Sequence, residues 1–151
     1  MPIHEGPYLS AALLCDRVLE EKDGTKSAIR VIDRLTHNVF EPNPPANMEP
    51  FDHKLTLFIR FKSGHARGIY SLKMNFVTPA GESSARTVNV NFEGEEDRGV
   101  DIIAPMQMRI EMQGIYWVEI FLGDDFMTRI PLRVVYIPQI TQQTPLGGPG
   151  S

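Results

Sequence analysis

The chain has very little cysteine and no excess of positive charge. Its 151 residues include a single cysteine, Cys15, which excludes an intramolecular disulfide and gives no sign of an oxidising compartment. Within the sequence ALLCD, we expect this thiol to be a small buried hydrophobic group rather than a nucleophile. The formal net charge is −4, and neither a basic stripe nor a basic amphipathic segment is visible. The composition therefore predicts no nucleic-acid partner and no membrane partner.

Long apolar runs and metal-binding spacings are also missing. No apolar run approaches the ~18 residues of a membrane-spanning helix, and the first residues lack the positive charge that begins a signal peptide. We therefore expect a cytoplasmic protein. The histidines, His4, His37, His53 and His65, do not have the spacing of zinc ligands. Since nucleotide-binding and hydrolase motifs are absent as well, the sequence predicts no metal and no cofactor.

What the chain does have is alternation of apolar and polar residues with a period of two, which is typical of β-strands. Asp23-Gly24 predicts a hairpin turn, and a proline-rich stretch at 42–50 predicts a connection that crosses between sheets. We predict an all-β fold, an antiparallel two-sheet sandwich of about eight strands that is loosely immunoglobulin-like. It would occupy residues 1–138, followed by a disordered tail at 139–151. The predicted strands are Leu9–Glu20, Lys26–Leu35, Lys54–Lys62, Ile69–Thr78, Ala85–Phe92, Val100–Gln113 and two within Gly114–Tyr136.

The last of these segments predicts both a core face and an unusual outer face. Residues 116, 118, 120 and 122 are apolar and should point inward. The opposite face carries Trp117, Glu119 and Phe121, and Phe58 should also point outward from its own strand. If these residues lie together, they form an apolar patch that can bind a partner. Alternatively, the proline-rich loop or the N-terminal segment covers them.

Three functions remain open from the sequence. The preferred one is a non-enzymatic module that binds a protein, either a different chain or a second copy, through Trp117, Phe121, Phe58 and Glu119. The second is a carbohydrate- or small-ligand-binding domain that uses the same aromatic residues. The third is a hydrolase built on Asp16 and Asp33, which would require both carboxylates in one cleft.

Two segments resemble a bacterial family of small uncharacterised β-sandwich proteins. The first is ALLCDRVLEEKDGTKSAIRVIDRL, in which a strand ending in Cys-Asp leads through an Asp-Gly turn into a second strand. The second is the closing hairpin, GIYWVEIFLGDDFMTRIPLRVVY. The resemblance implies a sandwich-like fold and supplies no catalytic residue. Relatives often have a glycine near the end of the second strand, where this chain reads AIRVIDRL, so a bend expected there would be missing.

Overall fold

The structure is a computed structural model that describes residues 5–140. Over this range the chain forms nine strands and no helix, which confirms the all-β class. No helix within residues 5–140 has the length and apolar character needed to cross a bilayer. The strands are β1 Tyr8–Glu20, β2 Lys26–Val31, β3 Arg34–Glu41, β4 Phe51–Lys62, β5 Arg67–Val77, β6 Ser83–Glu93, β7 Gly99–Ile110, β8 Gly114–Leu122 and β9 Asp125–Ile140.

The strands form two sheets, as predicted. The four-stranded sheet has the order β2-β1-β4-β7, and the five-stranded sheet has the order β3-β9-β8-β5-β6. Neighbouring strands are antiparallel except β3 and β9, which are parallel. The prediction of a wholly antiparallel fold is therefore wrong at this pair. The physical reason is that the chain enters β3 by crossing from the other sheet, not by a hairpin turn.

This crossing divides a segment that the sequence presents as one strand. The predicted strand Lys26–Leu35 ends at Val31, and β3 begins at Arg34 in the other sheet. Between them, the Ile32 N–H donates to the Leu14 carbonyl (2.8 Å). Arg30 adopts a φ of 57°, a left-handed conformation that is uncommon outside glycine. The chain therefore bends here although the segment carries no glycine, so the expectation of a missing bend is wrong.

The other predicted connections agree with the structure. Gly24 has a φ of 87° in the turn between β1 and β2, as the Asp-Gly pair predicts. The proline-rich stretch leads from β3 in one sheet to β4 in the other, which confirms the crossing. Strand β9 continues to Ile140, so the predicted tail begins inside a strand, and its remainder lies outside the described residues.

The inward faces of both sheets share one hydrophobic core. Phe61 and Phe92 are almost fully buried and pack edge to face, with ring centroids 5.9 Å apart. The Tyr116 hydroxyl donates to the Met112 carbonyl (2.7 Å) and accepts from its N–H (3.3 Å). The start of β8 is thereby tied to the turn before it. The core also includes Leu14, Leu55, Leu57, Ile59, Leu72, Met74, Val118, Ile120, Leu132 and Val134.

The hairpin of β1 and β2 folds back over the outer face of the four-stranded sheet. Strand β1 pairs with β4 only as far as Cys15 opposite Thr56. If β1 continued straight along β4 beyond Cys15, the hairpin would extend away from Asp101. At the usual rise per residue, Lys26 would then lie about 30 Å from Asp101. Instead, the Lys26 Nζ atom lies 3.5 Å from the Asp101 carboxylate, beside Arg60 on the outer face. The fold-back explains why Cys15 and Thr56 are buried there.

Candidate functional site

Phe58 does not belong to the predicted patch. It lies on β4 in the four-stranded sheet and is only 8% exposed, whereas Trp117, Glu119 and Phe121 lie on β8 in the other sheet. The β1–β2 hairpin lies over this face of the four-stranded sheet, which accounts for the burial of Phe58. The structure therefore brings together three of the four predicted residues.

The three residues on β8 occupy the centre of an outer sheet face, because β8 has a strand on each side. Trp117 lies opposite Val77 and Pro131, Glu119 opposite Asn75 and Arg129, and Phe121 opposite Lys73 and Phe126. Both central rings are half-buried, and Phe126 is 54% exposed. We call the set Trp117, Glu119, Phe121, Phe126, Lys73, Arg129 and Arg133 the aromatic face.

A cation lies over each of the two central rings. The Arg129 guanidinium is 3.6 Å from the Trp117 ring centroid, and the Lys73 ammonium is 4.7 Å from that of Phe121. Such contacts contribute about 0.5–1 kcal/mol each at exposed positions. The Phe126 ring also packs edge to face on Phe121 (5.6 Å between centroids). The rings are therefore held in place by their neighbours, and their apolar surface is interleaved with positive charge.

Glu119 is the single carboxylate at the centre of the aromatic face. Its Oε1 atom accepts a hydrogen bond from the Asn75 amide (2.9 Å). Arg129 lies directly opposite Glu119 in the strand register, but its guanidinium stacks on Trp117. The Glu119 carboxylate is thus oriented by the uncharged Asn75 amide, while Arg129 remains over the Trp117 ring.

The cations of this face were not identified from the sequence. Lys73 and Arg129 sit on neighbouring strands, and only the register places them beside the rings of β8. The register of β8 and β9 shifts at a bulge between Ile120 and Phe121. No residue in the turn between these strands predicts the bulge. The alternation of β9 would have placed Arg129 and Arg133 on the outer face, so part of the signal was present.

A separate cleft opens at one end of the molecule, between the β5–β6 turn and the β7–β8 turn. Its volume is about 400 Å³. The lining is rich in methionine, with Met106, Met108 and Met112, together with Phe76 and Trp117. Unbranched thioether side chains adapt to the shape of an apolar ligand. Trp117 therefore borders both this cleft and the aromatic face.

Sugar binding on Trp117 would also need polar side chains near the ring, but the candidate amides lie apart from it. Asn89 and Asn91 are exposed on β6, but the β6 residue in the Trp117 row is Ser83, opposite Val77. Six residues along a strand separate Ser83 from Asn89, which is about 20 Å. Arg109 lines the methionine-rich cleft but lies in the other sheet.

The two aspartates proposed for hydrolysis occupy different surroundings. The Asp16 carboxylate pairs with Arg30 at 3.1 Å. Asp33 lies in the bend after β2 and borders a shallow pocket beside β9 whose lining does not include Asp16. Within residues 5–140, no group of three or more His, Cys, Asp and Glu side chains could hold a metal ion.

Comparison with known proteins places the chain in a family. A model of a family of unknown function (DUF6941) matches residues 10–135, so the chain belongs to this family. This confirms the predicted membership of a family without an assigned function. The bacterial origin implied by the resemblance stays a prediction. No curated protein matches the chain.

One similar solved structure is the Pseudomonas fluorescens alkylpurine DNA glycosylase AlkC, bound to DNA containing an abasic site analog. The TM-score is 0.37 and the sequence identity is 9%. The match covers 67% of this chain and 29% of that chain. The similarity is too distant to support any functional argument.

Proposed function

We propose that the protein is a non-enzymatic interaction module and that the aromatic face binds a protein partner. One observation carries the proposal. Trp117 and Phe121 are half-buried at the centre of a sheet, and the exposed Phe126 extends the same apolar area. Aromatic residues and arginine are enriched at protein interfaces, where they form the residues that dominate binding energy.

Recovery of partners from a lysate of the source organism tests this proposal. The wild-type protein is compared with a Trp117→Ala, Phe121→Ala double variant, after circular dichroism has shown that the variant is folded. A Phe40→Ala variant is the matched control, because Phe40 is 62% exposed but lies on the edge strand β3. A partner retained by the wild type and the control but lost by the double variant supports the proposal. Equal recovery by all three baits contradicts it.

The partner could be a second copy of this chain, and sedimentation velocity separates this case. A dimer of the wild type that becomes a monomer in the double variant would identify the aromatic face as a self-association surface. A wild-type monomer at all concentrations would assign the face to a different protein.

A second candidate function is binding of a small apolar ligand in the methionine-rich cleft. The support is its apolar lining and a volume within the range of ligand pockets, roughly 300–1,000 Å³. Ligand-detected NMR with a library of apolar fragments and simple sugars tests it. Fragments that bind the wild type and are lost in a Met108→Gln variant would favour this function.

The proposal also includes the type of sandwich and the cellular location. We infer a loosely immunoglobulin-like sandwich, because the two sheets share one core. A second support is the Tyr116 hydroxyl, which donates to the backbone carbonyl four residues upstream, much as a tyrosine corner does. We also propose the cytoplasm as the place of action, which is consistent with a free, buried Cys15.

A further inference from the structure

The cations of the aromatic face have no carboxylate beside them, in contrast to several cations elsewhere in the described part of the protein. On the four-stranded sheet, Arg60 and Lys26 both reach Asp101, and Arg109 reaches Asp52. Among the described residues, no carboxylate lies within 4.0 Å of Lys73, Arg129 or Arg133. All three are exposed.

This arrangement creates a local excess of positive charge on an acidic protein. The aromatic face carries three cations and one carboxylate, whereas the whole chain has a net charge of −4. The carboxylate, Glu119, is hydrogen bonded to Asn75 and not to a cation. The positive charge of the face is therefore not neutralised by an ion pair within the described part of the chain.

We propose that the aromatic face binds an extended acidic segment of a partner protein. This inference rests on the proposed function, because it names the chemistry of the partner for the same face. Charge complementarity selects an acidic segment, and the apolar surface of the rings accepts its apolar side chains. The rim of cations and the aromatic centre are thus parts of one binding surface.

The stacked geometry prepares Arg129 to bind a carboxylate. A guanidinium that lies over a ring keeps its N–H groups directed outward in its own plane, where a carboxylate can accept two hydrogen bonds. Since the Trp117 ring already restricts the arginine side chain, less conformational entropy is lost on binding. The Lys73 ammonium over Phe121 is restricted in the same way.

The register suggests the spacing of the acidic residues. A segment that lies along β8 would pass Phe121, Glu119, Trp117 and Ile115 at intervals of about 7 Å for every two residues. Its acidic side chains would therefore meet Lys73, Arg129 and Arg133 at the first, fifth and seventh positions. The third position faces Glu119, so a hydrogen-bond donor such as glutamine fits there and an acidic residue does not.

A single-stranded nucleic acid is the other anion that binds sheets with aromatic residues and cations. Bases bind such sheets by stacking on free ring faces. Here Arg129 occupies one face of the Trp117 ring and Lys73 one face of the Phe121 ring. A base would have to displace these cations, and Glu119 would repel the phosphates. The geometry therefore favours a peptide.

Fluorescence of Trp117 provides a direct test, because it is the only tryptophan of the chain and lies in the face itself. The full chain is titrated with three tryptophan-free peptides of about nine residues, a length that spans β8. They have glutamate, lysine or glutamine at the first, fifth and seventh positions and glutamine or phenylalanine elsewhere. A single-stranded oligonucleotide is the fourth ligand.

Two triple variants separate local charge from net charge. The first, Lys73→Gln, Arg129→Gln, Arg133→Gln, removes the cations of the aromatic face. The control, Arg17→Gln, Lys22→Gln, Lys54→Gln, removes three exposed cations on the strands and turn of the other sheet. The change in net charge is the same, and circular dichroism confirms that both are folded.

We expect the glutamate peptide to bind about tenfold more tightly than the lysine peptide at low salt, and the difference to shrink as salt is added. The face variant should lose this preference, and the control should keep it. Equal binding of the three peptides, or a preference that survives in the face variant, overturns the proposal. Tighter binding of the oligonucleotide than of any peptide also overturns it and assigns the face to nucleic acid. If the peptides show no charge preference but the Trp117→Ala, Phe121→Ala variant still loses its lysate partner, only the acidic chemistry fails and the proposed function stands.

Discussion

Replacement of Asp101 by asparagine should measure how strongly the β1–β2 hairpin is held against the four-stranded sheet. The Asp101 carboxylate accepts two hydrogen bonds from Arg60, Nε to Oδ1 at 2.6 Å and Nη2 to Oδ2 at 2.8 Å. The Lys26 Nζ atom lies 3.5 Å away. Asparagine keeps the shape of the side chain but removes its charge, so both cations lose their counter-ion.

The size of the effect follows from exposure. The side chains of Asp101, Lys26 and Arg60 are 12%, 16% and 34% exposed, respectively. Exposed ion pairs contribute about 0–1 kcal/mol, and breaking a fully buried pair costs about 3–5 kcal/mol. For this partly buried group, we expect Asp101→Asn to lower the free energy of unfolding by about 2 kcal/mol. For a chain of this length, Tm should fall by about 4–8 °C.

The loss should depend on pH in a defined direction. The hydrogen bonds from Arg60, followed by the charges of Arg60 and Lys26, lower the pKa of Asp101 in the folded protein. A carboxyl group whose pKa is lowered by folding contributes its stabilisation above its unfolded pKa, about 3.9. That contribution disappears as pH falls through the folded pKa. The wild type and the Asp101→Asn variant should therefore differ at pH 7 and converge in acid.

Urea denaturation at pH 7 and at acidic pH measures both quantities. Asp52→Asn is the matched control, because Asp52 pairs with Arg109 across the same two strands at 3.4 Å, with both side chains about half exposed. We expect the control to change stability by less than about 1 kcal/mol. The reasoning would be refuted if the two variants were equally stable at pH 7, or if the Asp101→Asn deficit persisted unchanged in acid.

Four further predictions concern the core, the thiol and the aromatic face. Tyr116→Phe should lower the free energy of unfolding by about 1–3 kcal/mol in urea, because the hydroxyl satisfies two backbone groups; a neutral result would contradict the role of that hydroxyl. Phe58→Ala should lower it by about 3–5 kcal/mol, whereas an exposed Phe58 would give almost no change. Burial, and then the charge of the neighbouring Asp16, raises the pKa of the Cys15 thiol, so a thiol reagent at pH 8 should react far more slowly with the folded than with the urea-unfolded protein; equal rates would show that the thiol is accessible. Arg129→Gln should shift the emission of the single tryptophan while changing stability by less than about 1 kcal/mol, and an unchanged spectrum would contradict the stacking.

The alternation of residues predicted the strands well because it reports local burial on a two-sided sheet. It identified Tyr116 and Val118 as core residues, for example, and both are buried. It failed where burial depends on distant parts of the chain. Phe58 alternates like an outward residue, yet a hairpin formed by residues much earlier in the sequence covers it. Likewise, alternation could not place β3 beside β9, because the bend after Val31 carries neither glycine nor proline.

For the candidate site, the sequence predicted the outward residues of β8 but not which cations lie over its rings. Trp117 and Phe121 were assigned correctly to one face of β8 because that strand alternates strictly. The cation over Phe121 is Lys73 on β5, 48 positions earlier in the chain, and the cation over Trp117 is Arg129 on β9. The strand register and the bulge decide which cation lies over which ring, and no local sequence pattern encodes either feature.

The covered face of the four-stranded sheet also bears on aggregation. Residues 55–59 of β4, Leu-Thr-Leu-Phe-Ile, are all buried and form an uncharged, proline-free stretch of strong β-formers, which is the composition of segments that assemble into fibrils. Lys54 and Arg60 flank the stretch in the manner of charged gatekeepers. The β1–β2 hairpin covers the outward side chains of this stretch, Thr56 and Phe58, while Leu55, Leu57 and Ile59 lie in the core. Partial detachment of the hairpin would therefore expose the outward side of the stretch to other chains while the core remained folded.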